Sequence, residues 1–182
     1  MPATTMKAVR QHAFGGPEVL RWEEAPLPEP KAGEVLVRVR AVGLNPPDWY
    51  LREGYRALPP AWRPQVAFPL VLGTDVSGVV AAVAEGVEGF AVGDAVYAMV
   101  RFPEGLAGDS RAYAEYVSVP AADLARKPAG IDHLQAAGAP MSLLTAWQFL
   151  VDLGHDAPNP LQPGRHVPVP LAGRAVLVNG AA

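Results

Sequence analysis

Through the first two thirds of the chain, apolar residues recur at every second position. In EVLVRVRAV, Val35, Val37, Val39 and Ala41 fall on one face, while Leu36, Arg38, Arg40 and Val42 share the other. That is the pattern of a strand with one wet face. RAYAEYVSV repeats it, setting Tyr113, Glu115, Val117 and Val119 against Ala112, Ala114, Tyr116 and Ser118. MKAVRQH and VLRWEE read as a strand pair around the turn Gly15-Gly16-Pro17. GTDVSGVVAAVAEGVEGFAVGDAVYAMV predicts a long strand, a Gly-rich turn region and a return strand from near Asp94. Residues 1–125 are therefore expected to be mostly β, in short strands.

Near Asp132 the period changes. Asp132 with Gln135 three residues on forms a candidate capping box. Leu143, Leu144, Trp147, Leu150 and Val151 then recur at helical spacing, with Gly154 as a natural stop. Trp147 is expected in the core. Residues 157–170 hold five prolines, which excludes helix and central strand and predicts an extended connector. The closing LAGRAVLVNGAA has a turn, the apolar run Ala175–Val178, and then Asn179 and Gly180. This is how the first strand of a nucleotide-binding βα unit begins.

Composition narrows the class. Twenty prolines and eighteen glycines in 182 residues argue against a helical bundle. Half the residues are apolar and 18% charged, a globular balance. A net charge of -3 predicts neither a nucleic-acid nor an anionic-membrane partner. The N-terminus lacks the apolar core of a secretory signal, and VSGVVAAVAEGV is too short to span a bilayer. A cytoplasmic protein is expected. There is no cysteine, hence neither disulfide nor thiolate.

Three stretches in order, AVGLNPPDWYLREG (41–54), PLVLGTDVSGVVAAVAEGVEGFAVGDAVYAM (69–99) and AYAEYVSVPAADLARKPAGIDHLQAAGAPMSLLTAWQFL (112–150), together resemble the zinc-independent quinone oxidoreductases. These form the zeta-crystallin-like branch of the medium-chain dehydrogenase/reductase superfamily. The resemblance implies a mainly β fold with short helices, a GroES-like irregular β-barrel, followed by the start of a truncated α/β Rossmann domain. The domain boundaries expected are 1–130 for the catalytic domain, 131–156 for helices leading out, 157–172 for the connector and 173–182 for the first Rossmann strand. The connector is longer and richer in proline than the family pattern, and most of the cofactor domain is absent. The implied activity is hydride transfer from NADPH to a small-molecule quinone or activated enone, with a homodimer possible in the full-length protein. This chain alone is expected to be inactive.

The superfamily also contains zinc alcohol dehydrogenases, whose catalytic metal takes cysteine and histidine ligands. By resemblance, the first ligand position is Asn45, the Gly-His-Glu of that branch is Gly73-Thr74-Asp75, and the third falls near Met141. His12, His133, His155 and His166 lie far apart. No metal is expected.

Without a metal, hydrogen bonds must stabilise the charge that grows on the substrate oxygen. By resemblance, Asn45 and Tyr50 are the catalytic candidates. Asn45 also contacts cofactor, as do Thr145 and the phosphate-loop residues Asn179, Gly180 and Ala181. Tyr50, Tyr55 and Trp62 are expected to line the substrate pocket. Structural roles stand beside these. Asn45 can cap a helix starting at Pro46, Tyr50 can simply pack, and Thr145 can bond back to its own helix. Asp48 reads as a first-turn helix charge and Asp75 as a structural turn or hydrogen-bonding residue. The loop 55–69 is a substrate rim or a self-packed surface loop, with Arg52, Arg56 and Arg63 solvated. Two other functions remain open: a free-standing GroES-like binding module, and the enoylreductase part of a larger synthase.

Overall fold

The computed structural model describes residues 4–63, 65–101, 107–108, 111–150, 173 and 175. The chain divides into two units, Met1–Met141 and Ser142–Ala182. The expected connector 157–170, the stop at Gly154, and Asn179, Gly180 and Ala181 lie outside the described residues.

Unit one is built on two open sheets. One has the order β2-β1-β4-β7 and the other β8-β3-β5-β6-β9. The strands are β1 (Thr5–Gln11), β2 (Leu20–Pro26), β3 (Glu34–Gly43), β4 (Ala67–Val71), β5 (Asp75–Val83), β6 (Ala95–Met99), β7 (Ala107–Gly108), β8 (Tyr116–Pro120) and β9 (Leu124–Arg126). The first hairpin is the expected one, with Val9 opposite Trp22. The mainly β architecture follows the period-two reading, but neither sheet closes on itself.

Two cores result. Val35, Val37, Val76, Val80, Val96 and Val117 fill the face of the five-stranded sheet. Met6, Ala8, Ala25 and Val71 fill that of the four-stranded sheet. A third cluster, Leu51, Leu70 and Leu72, forms beneath the helix α1 (Pro46–Arg52). On β3, Val35, Val37 and Ala41 are buried and Arg38 and Arg40 exposed, as alternation demands, yet Leu36 is buried too. Register shifts at Leu36/Val37 and Val39/Ala41 interrupt the strict alternation.

The segment expected to be a continuous strand from Ala112 behaves differently. Regular strand begins only at Tyr116. Before it, Ala112 and Tyr113 donate to Gly73 and Leu72, Val9 donates to Tyr113, Glu115 donates to Lys7, and Val39 donates to Glu115. With its hydrogen bonds divided among three neighbours, this stretch belongs to no single ladder and ties the two sheets together.

The predicted helices α2 (His133–Ala137) and α3 (Pro140–Leu150) are present. Asp132 and Gln135 close the expected capping box: Gln135 N–H donates to Asp132 Oδ1 at 2.8 Å, and Asp132 N–H to Gln135 Oε1 at 3.1 Å. Most of α3 lies in unit two. There Leu143, Leu144 and Trp147 are all exposed, Trp147 by 55%, so the core assignment of Trp147 is corrected. Helical periodicity reports that a helix has an apolar stripe, not that something covers it.

Candidate functional site

The site grows from the end of β3. A Cβ on Gly43 would lie 2.5 Å from the Ala137 carbonyl and 2.8 Å from the Asp75 Cβ, so only glycine lets the strand end against α2 and β5. The chain then turns at Leu44 and Asn45 into α1. Asn45 is extended, as an N-cap must be, and Pro46 and Pro47 occupy the first turn, where a missing N–H costs nothing. The helix closes with Gly54 in the left-handed region at φ 76°. Gly54 N–H donates to the Leu51 carbonyl at 2.9 Å and Tyr55 N–H to that of Tyr50 at 2.7 Å, the paired bonds of a Schellman end. Tyr55 is itself left-handed, at φ 50°.

Asp48 sits in the first turn as expected, but not as a surface charge. It is 6% exposed. Its Oδ2 accepts from Asn45 N–H at 2.9 Å and from the Tyr113 hydroxyl at 3.0 Å. Burial raises its pKa above the ordinary 3.8, while bonds from Asn45, Tyr113 and the Gly73 backbone pull it back. Arg111, 1% exposed, stands close enough for its charge to act on Asp48 and Tyr55. Burial lowers the pKa of Arg111 to about 10, and those two neighbours hold it from falling further. Burial, followed by the charge of Asp48, raises that of the Tyr113 hydroxyl well beyond its usual value, so it stays a donor. Sequence reasoning missed Arg111 and Tyr113, which carried only a strand pattern; the sole hint was one arginine beside an otherwise small and apolar run.

The Asn45 side chain reaches the residue just before β5, its Nδ2 donating to Thr74 Oγ1 at 3.4 Å. Asp75, 1% exposed, accepts at Oδ2 from Met141 N–H at 3.0 Å. Burial raises its pKa, countered by Met141 and the Asn45 amide. The hydrogen-bonding role expected of Asp75 is the one it has. The fold thus gathers Asn45, the adjacent Thr74 and Asp75, and the backbone of Met141, from three segments far apart in sequence.

Of this group, Asn45 lines a cavity of about 380 Å³, together with Asp48, Trp49, Arg52, Leu72 and Tyr113 among others. Arg52 is not simply solvated: its Nε donates to the Gly15 carbonyl at 3.2 Å and it pairs with Glu53 at 3.0 Å. Arg63 likewise donates to the carbonyls of Leu58 and Arg56, closing its own loop. Tyr50 and Tyr55 are brought together, with ring centroids 6.1 Å apart, and Tyr50 also lies 4.1 Å from Trp49. Neither tyrosine lines that cavity, nor does Trp62, which ends the short helical turn Pro60–Trp62 in an exposed position. Thr145 is an exposed residue of α3 in unit two.

Residues 31–129 match the alcohol dehydrogenase GroES-like domain family. The chain belongs to that family. It is similar to the synaptic vesicle membrane protein VAT-1 homolog-like of Mus musculus, 34% identical over 174 residues, which are 96% of this chain and 37% of that protein. It is 32% identical to the quinone oxidoreductase of Homo sapiens over 177 residues, 97% of this chain and 46% of that one. Among solved structures, the Escherichia coli quinone oxidoreductase complexed with NADPH superposes with a TM-score of 0.66 at 30% identity, over 84% of this chain and 42% of that one. The chain thus spans less than half the length of these relatives, and it is a member of the medium-chain dehydrogenase/reductase superfamily. Among the described residues of this GroES-like domain, no three His, Cys, Asp or Glu side chains cluster to hold a metal ion, and no helix is long and apolar enough to cross a membrane.

Proposed function

We propose that this GroES-like chain is the substrate-binding half of an oxidoreductase that reduces quinones or activated enones with NADPH, without zinc, in the cytoplasm. The observation that carries this reading is Asn45, whose side chain is held against Thr74 and which lines a largely apolar cavity. The positions that resemble the zinc ligands of related dehydrogenases carry an amide and a hydroxyl, with Met141 as the third. An amide and a hydroxyl are poor zinc ligands beside thiolate and imidazole, but an amide is an effective donor to a developing oxyanion.

A nicotinamide fits the surroundings. The Asn45 amide, which can both donate and accept, shares the cavity lining with the exposed apolar side chains of Leu44 and Trp49, suited to a flat ring bearing a carboxamide. Asn45 is the residue of unit one that would hold it. When bound, the nicotinamide supplies the hydride. The chain's own residues do the rest. Asn45 Nδ2 donates to the substrate oxygen as charge builds there. Tyr50, exposed on α1, would supply a hydroxyl donor. Asp48 fixes the backbone of Asn45 from beneath, and the apolar walls exclude water, which strengthens each of these bonds.

The test is NADPH oxidation with quinone and enone acceptors, measured on this chain alone and on the chain joined to the second half of a full-length relative. The joined protein should turn over and the chain alone should not. Asn45→Ala should lower kcat by about 10²–10³, the usual loss for one oxyanion donor. A joined protein that neither binds nor oxidises NADPH with any acceptor defeats the proposal.

A further inference from the structure

A second cavity, of about 510 Å³, adjoins the first. The two share Leu20, Leu44 and Tyr113 as lining residues, so these side chains stand between them. Their chemistry differs. The first holds the polar atoms of Asn45, Asp48 and Arg52. The second is walled largely by Val9, Trp22, Val39 and Ala114, with only Arg40 and Glu115 charged. Leu44, 81% exposed, and Trp22, 61% exposed, offer large apolar side chains along it.

We infer that the second cavity holds the apolar tail of a substrate whose carbonyl-bearing ring sits in the first. This rests on the function proposed above and specifies its substrate class: a quinone or enone carrying an alkyl or isoprenoid chain. The site borders the polar seat through those three shared side chains and has a size typical for one small-molecule ligand. The paired volumes exceed what a bare ring fills, and the charges of the second cavity sit on exposed side chains. A flexible hydrocarbon gains from such a wall without needing a single directed bond.

Calorimetric titration of this chain with a benzoquinone series of increasing alkyl length tests the inference. A matched alkylbenzene series, lacking the carbonyls, runs beside it. Affinity should rise by up to about fourfold for each methylene buried and then level off as the cavity fills. Trp22→Glu, at an exposed strand position, should flatten that rise. Equal affinity for bare and tailed quinones, or a rise unchanged by Trp22→Glu, overturns the inference while leaving the quinone reading intact. A Trp22-dependent rise of the same size in both series, with no gain from the carbonyls, supports the tail cavity and defeats the quinone assignment of the first.

Discussion

Removing the Tyr113 hydroxyl tests whether Asp48 organises the site. In Tyr113→Phe the ring remains packed beside Gly73, and the deleted atom is the one that donates to Asp48 Oδ2 at 3.0 Å. A hydrogen bond to a charged group contributes about 1.5–3 kcal/mol to stability, which is a large share of the roughly 5–15 kcal/mol that holds a domain folded. Urea unfolding followed by circular dichroism should therefore show a lower midpoint at unchanged slope. The pH dependence carries the stronger test. The hydroxyl favours the ionised form of Asp48, whose folded pKa burial raises above 3.8. A carboxyl with a raised pKa binds its proton more tightly folded than unfolded, so by itself it loses stability as pH rises through that window. The Tyr113 bond offsets this loss only once Asp48 is charged. The penalty for Tyr113→Phe should thus grow as pH rises and Asp48 ionises, and be full at pH 8, with the tyrosine, its pKa raised, protonated throughout. A penalty below about 0.5 kcal/mol at pH 8, the range of an ordinary surface substitution, refutes the reasoning, as does one that does not change with pH.

Gly73→Ala places a Cβ against the Tyr113 ring at a φ of 97°. Overpacking alone should cost about 1–3 kcal/mol, read as a lower thermal midpoint, and a neutral result would mean that the ring can move aside. Asp132→Ala breaks the α2 capping box and should cost about 0.5–2 kcal/mol, with faster amide exchange confined to residues 133–137; unchanged exchange there would show the helix is held by packing alone. His133, whose Nδ1 lies 2.7 Å from Ser77 Oγ, has a pKa lowered below 6.5 by burial and by Lys127 and Arg40. Its contribution is therefore complete above pH 6.5 and is lost as pH falls toward the folded value, so His133→Gln should flatten the stability curve in that window, and an unaltered acid limb would contradict it.

Local pattern was sufficient for most elements. The first hairpin, β5, β6, α2 with its cap and α3 each follow from nearest-neighbour chemistry: alternation, Gly-rich turns, Asp132 with Gln135. The same pattern failed where several partners compete. Ala112–Glu115 alternates like a strand, yet divides its hydrogen bonds among β1, β3 and the Leu72–Gly73 turn. Leu36 sits on the face read as wet but is buried beside a register shift.

The sequence by itself determined that this chain is mainly β, where its helices begin, and, through the order of its NPPD, GTD and LLTAW segments, which family it resembles. Those are properties of spacing, and spacing is local. Only the tertiary structure decided that Asp48, Tyr113, Arg111 and Tyr55 share one buried electrostatic cluster, that Asn45 meets Thr74, and that Leu20, Leu44 and Tyr113 stand between two cavities. The physical reason is that burial and electrostatic neighbourhood depend on chain segments separated by 29 to 65 residues, such as Asn45 with Thr74 and Asp48 with Tyr113. No periodicity in either segment records where the other will lie.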